Sequence, residues 1–119
     1  MPILLKPMEI NGMVVPNRFV RSATNDRHAD VSGRVNDRFI AVYESLAAGG
    51  IGLIITGHAY VTWNGKASAT MMGVHDDDLV PDLRRLVEAV HHYDSKIVMQ
   101  LNHAGRQTSS SIIGETPVA

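Results

Sequence analysis

The chain has 119 residues, 45% hydrophobic and 19% charged, with 11 basic against 12 acidic side chains and a formal net charge of −1. This is enough for one domain of ordinary soluble α/β composition, and it carries no basic stripe for nucleic acid or an anionic membrane. There is no cysteine, so a disulfide framework, an iron–sulfur cluster and a thiolate zinc site are excluded within it; the start lacks the apolar stretch of a signal peptide and no run reaches membrane-spanning length, which together fit a cytoplasmic protein.

Residues 4–16 read as a small hairpin. Met8-Glu9-Ile10 and Met13-Val14-Val15 flank Asn11-Gly12, a dipeptide that tolerates positive φ at both turn positions. Pro7 and Pro16 bound the unit. A hairpin ahead of the first main strand suits a plug for one end of a barrel. That first strand runs over 18–24, Arg18 to Thr24. A polar loop follows, and Asn36 is placed to cap a helix over 36–48. Phe39, Val42, Tyr43, Leu46 and Ala47 recur there at helical spacing. Gly49-Gly50 ends the helix.

The second strand, 51–57, shows no polar alternation, so both of its faces are expected to be buried under helices. A loop over 61–74 contains an Asn64-Gly65 turn. Asp76-Asp77-Asp78 then opens a helix over 77–92, with the carboxylates at its positive end and Pro81 in its first turn. The third strand is 96–102, Lys96 to Asn102. The tail from Gln107 to Ala119 is rich in Ser, Thr, Gly and Pro and reads as loop. Strand, helix, strand, helix, strand predicts a parallel α/β sheet with both helices on one side. Chemistry in such sheets sits past the carboxyl ends of the strands.

Three segments carry a resemblance over nearly the whole chain. They are Asn17-Arg18-Phe19-Val20-Arg21-Ser22-Ala23-Thr24, then Tyr43 with Leu46-Ala47-Ala48-Gly49-Gly50-Ile51-Gly52-Leu53-Ile54-Ile55-Thr56-Gly57, and Gln100-Leu101-Asn102-His103-Ala104-Gly105-Arg106. In this order and spacing they resemble the N-terminal third of the Old Yellow Enzyme family, the NADH:flavin oxidoreductases. The branch it looks most like holds ene reductases and 2,4-dienoyl-CoA-reductase-like enzymes. The resemblance implies a (β/α)₈ TIM barrel with FMN at the carboxyl ends of its strands. NADH or NADPH reduces the flavin, which passes hydride to an activated alkene or related small-molecule acceptor.

The resemblance also implies cofactor contacts. Ala23, Thr24 and Asn25 match the segment that passes along the flavin ring. Asn25 departs from the family's usual Thr or Cys; its other reading is a turn residue after a strand. His58 ends the second strand, where the family places a small residue or a backbone contact against the flavin. Gln100 is the sharpest single residue, a neutral amide ending an apolar strand. The pyrimidine edge of a flavin matches its donor and acceptor, the alternative being a bond to a neighbouring loop. His103 and Arg106 have a functional reading near the flavin and a structural one that holds the loop.

No metal site is expected. His91 and His92 are adjacent and diverge on a helix, no histidine pair has i, i+4 spacing, and the Asp76–Asp78 run is helix-start charge. Gly49-Gly50-Ile51-Gly52 precedes a strand, whereas a dinucleotide fingerprint follows one. Tyr93-Asp94 stands where family members often place a glycine. A full barrel takes about 250 residues, so residues 1–119 are expected to be a truncated N-terminal part of an FMN-binding domain, inactive alone. The competing reading is a non-catalytic fragment that pairs with another chain, or with copies of itself, through open sheet edges.

Overall fold

Local turn chemistry sets the start of the fold. In the computed structural model, which describes residues 1–119, Asn11 and Gly12 take φ of 47° and 86°. They close Met8–Ile10 (β1) onto Met13–Val15 (β2) as an antiparallel pair, Met8 opposite Val15 and Ile10 opposite Met13.

The main sheet has the order β3-β4-β5, from Val20–Arg21 (β3), Leu53–Tyr60 (β4) and Lys96–Asn102 (β5). Both pairings are parallel, with Val20 opposite Leu53 and Leu53 opposite Lys96. The crossovers are Asp37–Ala48 (α1) and Val80–His91 (α2). Asn36 caps α1: its Oδ1 accepts from the Phe39 N–H at 2.9 Å, while its amide nitrogen donates to the His28 carbonyl at 2.9 Å. Gly50, at φ 90°, makes the left-handed turn after α1. Pro81 sits in the first turn of α2. Asp76 caps a 3₁₀ turn, Asp77–Leu79, that leads into it.

Both helices pack on one face of the sheet. Phe39, Tyr43 and Ala47 of α1, Leu86 and Val90 of α2, and Ile54 and Ala59 of β4 form one buried cluster. Arg34 joins the two crossovers, donating to the Asp82 carboxylate at 2.5 Å and to the Asp78 carbonyl at 3.2 Å. The Arg34 bond, first, and then Arg85 hold the Asp82 carboxyl below the usual carboxylate range.

Three expectations need adjustment, and one feature of β5 was not anticipated. The ladder of β3 covers only Val20 and Arg21, because the chain leaves the sheet at Ser22, where the Thr24 hydroxyl turns back to the Ser22 carbonyl at 3.1 Å. β4 runs on to Tyr60, past a register shift between Ile55 and His58. There the Thr56 hydroxyl oxygen accepts the Gln100 N–H at 3.2 Å, standing in for a ladder carbonyl. The tail holds a one-turn helix, Ser110–Ile113 (α3), ended by Gly114 at φ 78°. Finally, β5 is open: Val98, Met99 and Leu101 are exposed, and so is Gln100. The burial of both faces expected of the second strand holds for central β4, while β5 lies at the sheet edge. Asp94 adopts φ 62°, the conformation a glycine would hold without strain.

Candidate functional site

Parallel strands deliver their carboxyl ends to one edge of the sheet, so the segments after β3, β4 and β5 meet there. Gly57 decides how closely the first two approach. A Cβ on it would lie 2.5 Å from the Thr24 carbonyl oxygen and 2.9 Å from Asp26 Oδ2. Only a glycine lets the exit of β3 rest on the bulge of β4.

Behind this contact lies a buried polar network. Tyr43 of α1 is fully buried and its phenol donates to Asp26 Oδ2. The Tyr43 phenol oxygen in turn accepts the Gly57 N–H at 2.9 Å. Arg21 donates to Asp26 Oδ1 at 3.3 Å, and its guanidinium stands 5.4 Å from the centre of the Tyr43 ring. Burial, then the bond to Asp26, pushes the Tyr43 phenol far above its ordinary pKa. It therefore remains a neutral donor.

The five residues singled out from the sequence lie along this edge. His58 and Gln100 stand opposite each other in the β4–β5 register and so share one face of the sheet. Asn25 and His58 line a common cavity of about 10 Å³ with Asp26, Arg27 and Gly57, room for one water. His58 Nε2 is buried and has no partner in the chain. Thr24 packs against Gly57, and half-buried Ala23 precedes it. Asn25 and Gln100 are exposed. The only hydrogen bond at Gln100 outside the ladder is through its backbone N–H, so its side-chain amide is unspent.

His103 is different. Its Nδ1 accepts from the Gly105 N–H at 3.0 Å and its Nε2 meets Asn64 Oδ1 at 3.2 Å. Gly65 lies under the ring, where a Cβ would be 2.6 Å from His103 Cδ2. This is the loop-holding role. Arg106 is exposed and forms no ion pair.

The sequence does not single out Asp26, and it marks Tyr43 as a residue of the helix face and of the second resembling segment without giving its hydroxyl a role. The available signal was a carboxylate inside the strand-end cluster and a phenol one helix away. Lys66 was also missed. It is only 2% exposed, with its ammonium donating to the Val31 carbonyl and lying 4.7 Å from the Trp63 ring centre and 5.6 Å from that of Tyr60. Burial lowers its pKa. Tyr60, whose phenol is pushed by burial to about 12, donates to the Ser32 carbonyl at 3.1 Å and stacks on His75 at 4.7 Å. Together these side chains tie the loops after β3 and β4 beside an open groove of about 340 Å³. No group of three or more metal-binding side chains converges anywhere in the chain, and no helix is long and apolar enough to cross a membrane.

An α/β sheet with an unspent polar edge at its carboxyl ends defines the class. Residues 3–117 match the NADH:flavin oxidoreductase / NADH oxidase family, and the chain belongs to that family, whose cofactor is FMN and whose reductant is NADH or NADPH. It is 39% identical to an NADH oxidase of Thermoanaerobacter brockii over 99% of its own length and 18% of that protein's. It is 36% identical to an NADPH dehydrogenase of Halalkalibacterium halodurans over 82% of its length and 29% of that protein's. Among solved structures, a 2-naphthoyl-CoA reductase in complex with 2-naphthoyl-CoA superposes with a TM-score of 0.89 at 30% identity, covering 95% of this chain and 17% of that one. The Old Yellow Enzyme homologue of Zymomonas mobilis shares the fold, with a TM-score of 0.88 at 24% identity over 99% of this chain and 33% of that one. The chain thus spans no more than a third of the length of these relatives.

The residues at the strand ends fit a flavin ring. The Gln100 amide offers both a donor and an acceptor, Asn25 offers the same pair, and His58, whose Nε2 is orphaned, lines a cavity with Asn25.

Proposed function

We propose that this chain is the N-terminal part of the (β/α)₈ barrel of an FMN-dependent oxidoreductase of the Old Yellow Enzyme type. Such an enzyme takes reducing equivalents from NADH or NADPH and delivers hydride to an activated alkene or a related small-molecule acceptor. The observation that carries the reading is the meeting of Ala23-Thr24-Asn25, His58 and Gln100 at one sheet edge, with His58 Nε2 and the Gln100 amide unpaired within the chain. The family membership and the lengths of the relatives support it.

FMN, when bound, supplies the hydride chemistry. The chain's own residues hold and orient it. Gln100 donates to and accepts from the pyrimidine edge of the ring. Thr24 and Asn25 run along the ring, with the Asn25 amide as a donor to its polar atoms. His58 faces the same space from β4. Donors held in place at the strand ends tune the ring's potential because they require little reorganisation when its charge changes.

The test is an FMN titration of the complete barrel and of two variants. Gln100→Ala and Gln100→Leu each leave a buried flavin atom unpaired, at about 1–3 kcal/mol. FMN affinity should fall roughly 5- to 150-fold in both. Equal loss in both separates hydrogen bonding from packing; unchanged affinity in both removes Gln100 from the site. Residues 1–119 alone are expected to show no steady NAD(P)H-dependent reduction of an enone.

A second reading rests on the open strand β5, where Leu101 is 63% exposed. Unpaired edges recruit other strands. A colourless protein that forms concentration-dependent oligomers in sedimentation would favour association over catalysis.

A further inference from the structure

The Tyr43–Asp26–Arg21 network is more than the packing of α1 on the sheet needs. Packing is already served by the ring, which stacks on Phe39 with centroids 5.0 Å apart and planes 4° from parallel. A phenylalanine would fill the same space. Instead the position holds a phenol. The phenol recruits a carboxylate that is only 4% exposed and an arginine that is 19% exposed. Burying such groups is unfavourable unless their bonds are made, and here both carboxylate oxygens of Asp26 are bonded, one to Tyr43 and one to Arg21, which specifies one geometry for the carboxylate.

The geometry it specifies lies at the strand ends. Arg21 stands opposite Ile54 in the β3–β4 register, and Ile54 belongs to the buried cluster under the helices. The network therefore sits on the helix side of the sheet, behind the edge that carries Asn25, His58 and Gln100. Two backbone segments hang from it. The Gly57 N–H, at the bulge of β4, has the Tyr43 phenol as its acceptor. Asp26 follows Asn25 directly, and its carboxylate is held from one side by Tyr43 and from the other by Arg21. One hydroxyl thus fixes the exit of β3 and the bulge of β4 together, and Gly57 lets them touch. Because the phenol stays protonated, the donor does not vanish with rising pH across the working range.

We propose that Tyr43 and Asp26 are positioning residues that hold the 24–26 and 57–58 segments in register against the cofactor, and through them set flavin affinity and potential. The proposal rests on the flavin-binding reading given above. Neither residue touches the ring; each acts through Asn25 and His58.

The experiment uses the flavin-loaded complete protein, with Tyr43→Phe and Asp26→Asn beside the wild type. FMN affinity, visible flavin absorption, midpoint potential and thermal stability are measured on each. Tyr43→Phe should weaken FMN binding about tenfold, the size expected when buried partners lose one hydrogen bond. It should also displace the flavin absorption bands and the potential. Asp26→Asn keeps an acceptor for Tyr43 and should give a smaller shift of the same sign. A fall in thermal stability with wild-type flavin affinity, spectrum and potential in both variants overturns the proposal, as does failure of both to fold, since either assigns the pair to the fold alone. A wild-type protein that binds no FMN overturns the functional reading as well, so the two failures are distinguishable.

Discussion

Gly57→Ala is the sharpest perturbation of the strand ends. The added methyl would stand 2.5 Å from the Thr24 carbonyl oxygen and 2.9 Å from Asp26 Oδ2, whereas ordinary Cβ contacts begin at 3.4 Å. The nearer obstacle is backbone, so no side-chain rotation relieves it. The exit of β3 must move by most of an ångström, or the bulge must open. Overpacking of this kind costs about 1–3 kcal/mol. With a urea slope of about 2 kcal/mol/M, the unfolding midpoint should fall by roughly 0.5–1.5 M. FMN affinity should fall as well, because Thr24 and Asn25 move with the displaced segment. Gly114→Ala is the control. Gly114 has φ 78° and no atom near its missing Cβ, so the substitution should cost about 1 kcal/mol through backbone conformation alone and leave the flavin untouched. Urea titrations and FMN titrations of both variants decide the matter. A Gly57→Ala protein with the wild-type midpoint and wild-type FMN affinity would refute the claim that Gly57 sets the β3–β4 approach.

Two further outcomes follow from the same interactions. Asn36→Ala removes the cap on Phe39 and the bond to the His28 carbonyl; thermal denaturation should show a loss of about 0.5–2 kcal/mol, and an unchanged melting point would count against the cap. For Asp82, whose carboxyl is held low by Arg34, the folded pKa lies below the unfolded one. Its stabilisation is therefore present above the unfolded value near 4 and is lost as pH falls through the folded value. Urea midpoints between about pH 2 and pH 6 should drop on the acid side, and Arg34→Gln should flatten that drop; the same acid loss in Arg34→Gln would remove the pair as its source.

Local chemistry was enough for much of this protein. Asn11-Gly12 announces the hairpin because positive φ is tolerated there. Asn36 and Gly50 mark the limits of α1, and apolar spacing marks both helices, because capping and amphipathicity act within a few residues. The run from Lys96 to Asn102 reads as a strand for the same reason, and the three strand-end motifs point to the flavin oxidoreductases. Other features depend on partners far along the chain. The extension of β4 past Gly57 requires a bulge that Thr56 bridges to Gln100, 44 residues away. The exposure of Gln100 follows from the place of β5 at the sheet edge, which periodicity does not reveal. The Tyr43 hydroxyl has no role visible in the sequence until folding brings Asp26 and Gly57, 17 and 14 residues distant, to it. Hydrogen bonds of a buried polar group are chosen by whatever the tertiary fold places beside it, so its role appears only when the strands are side by side.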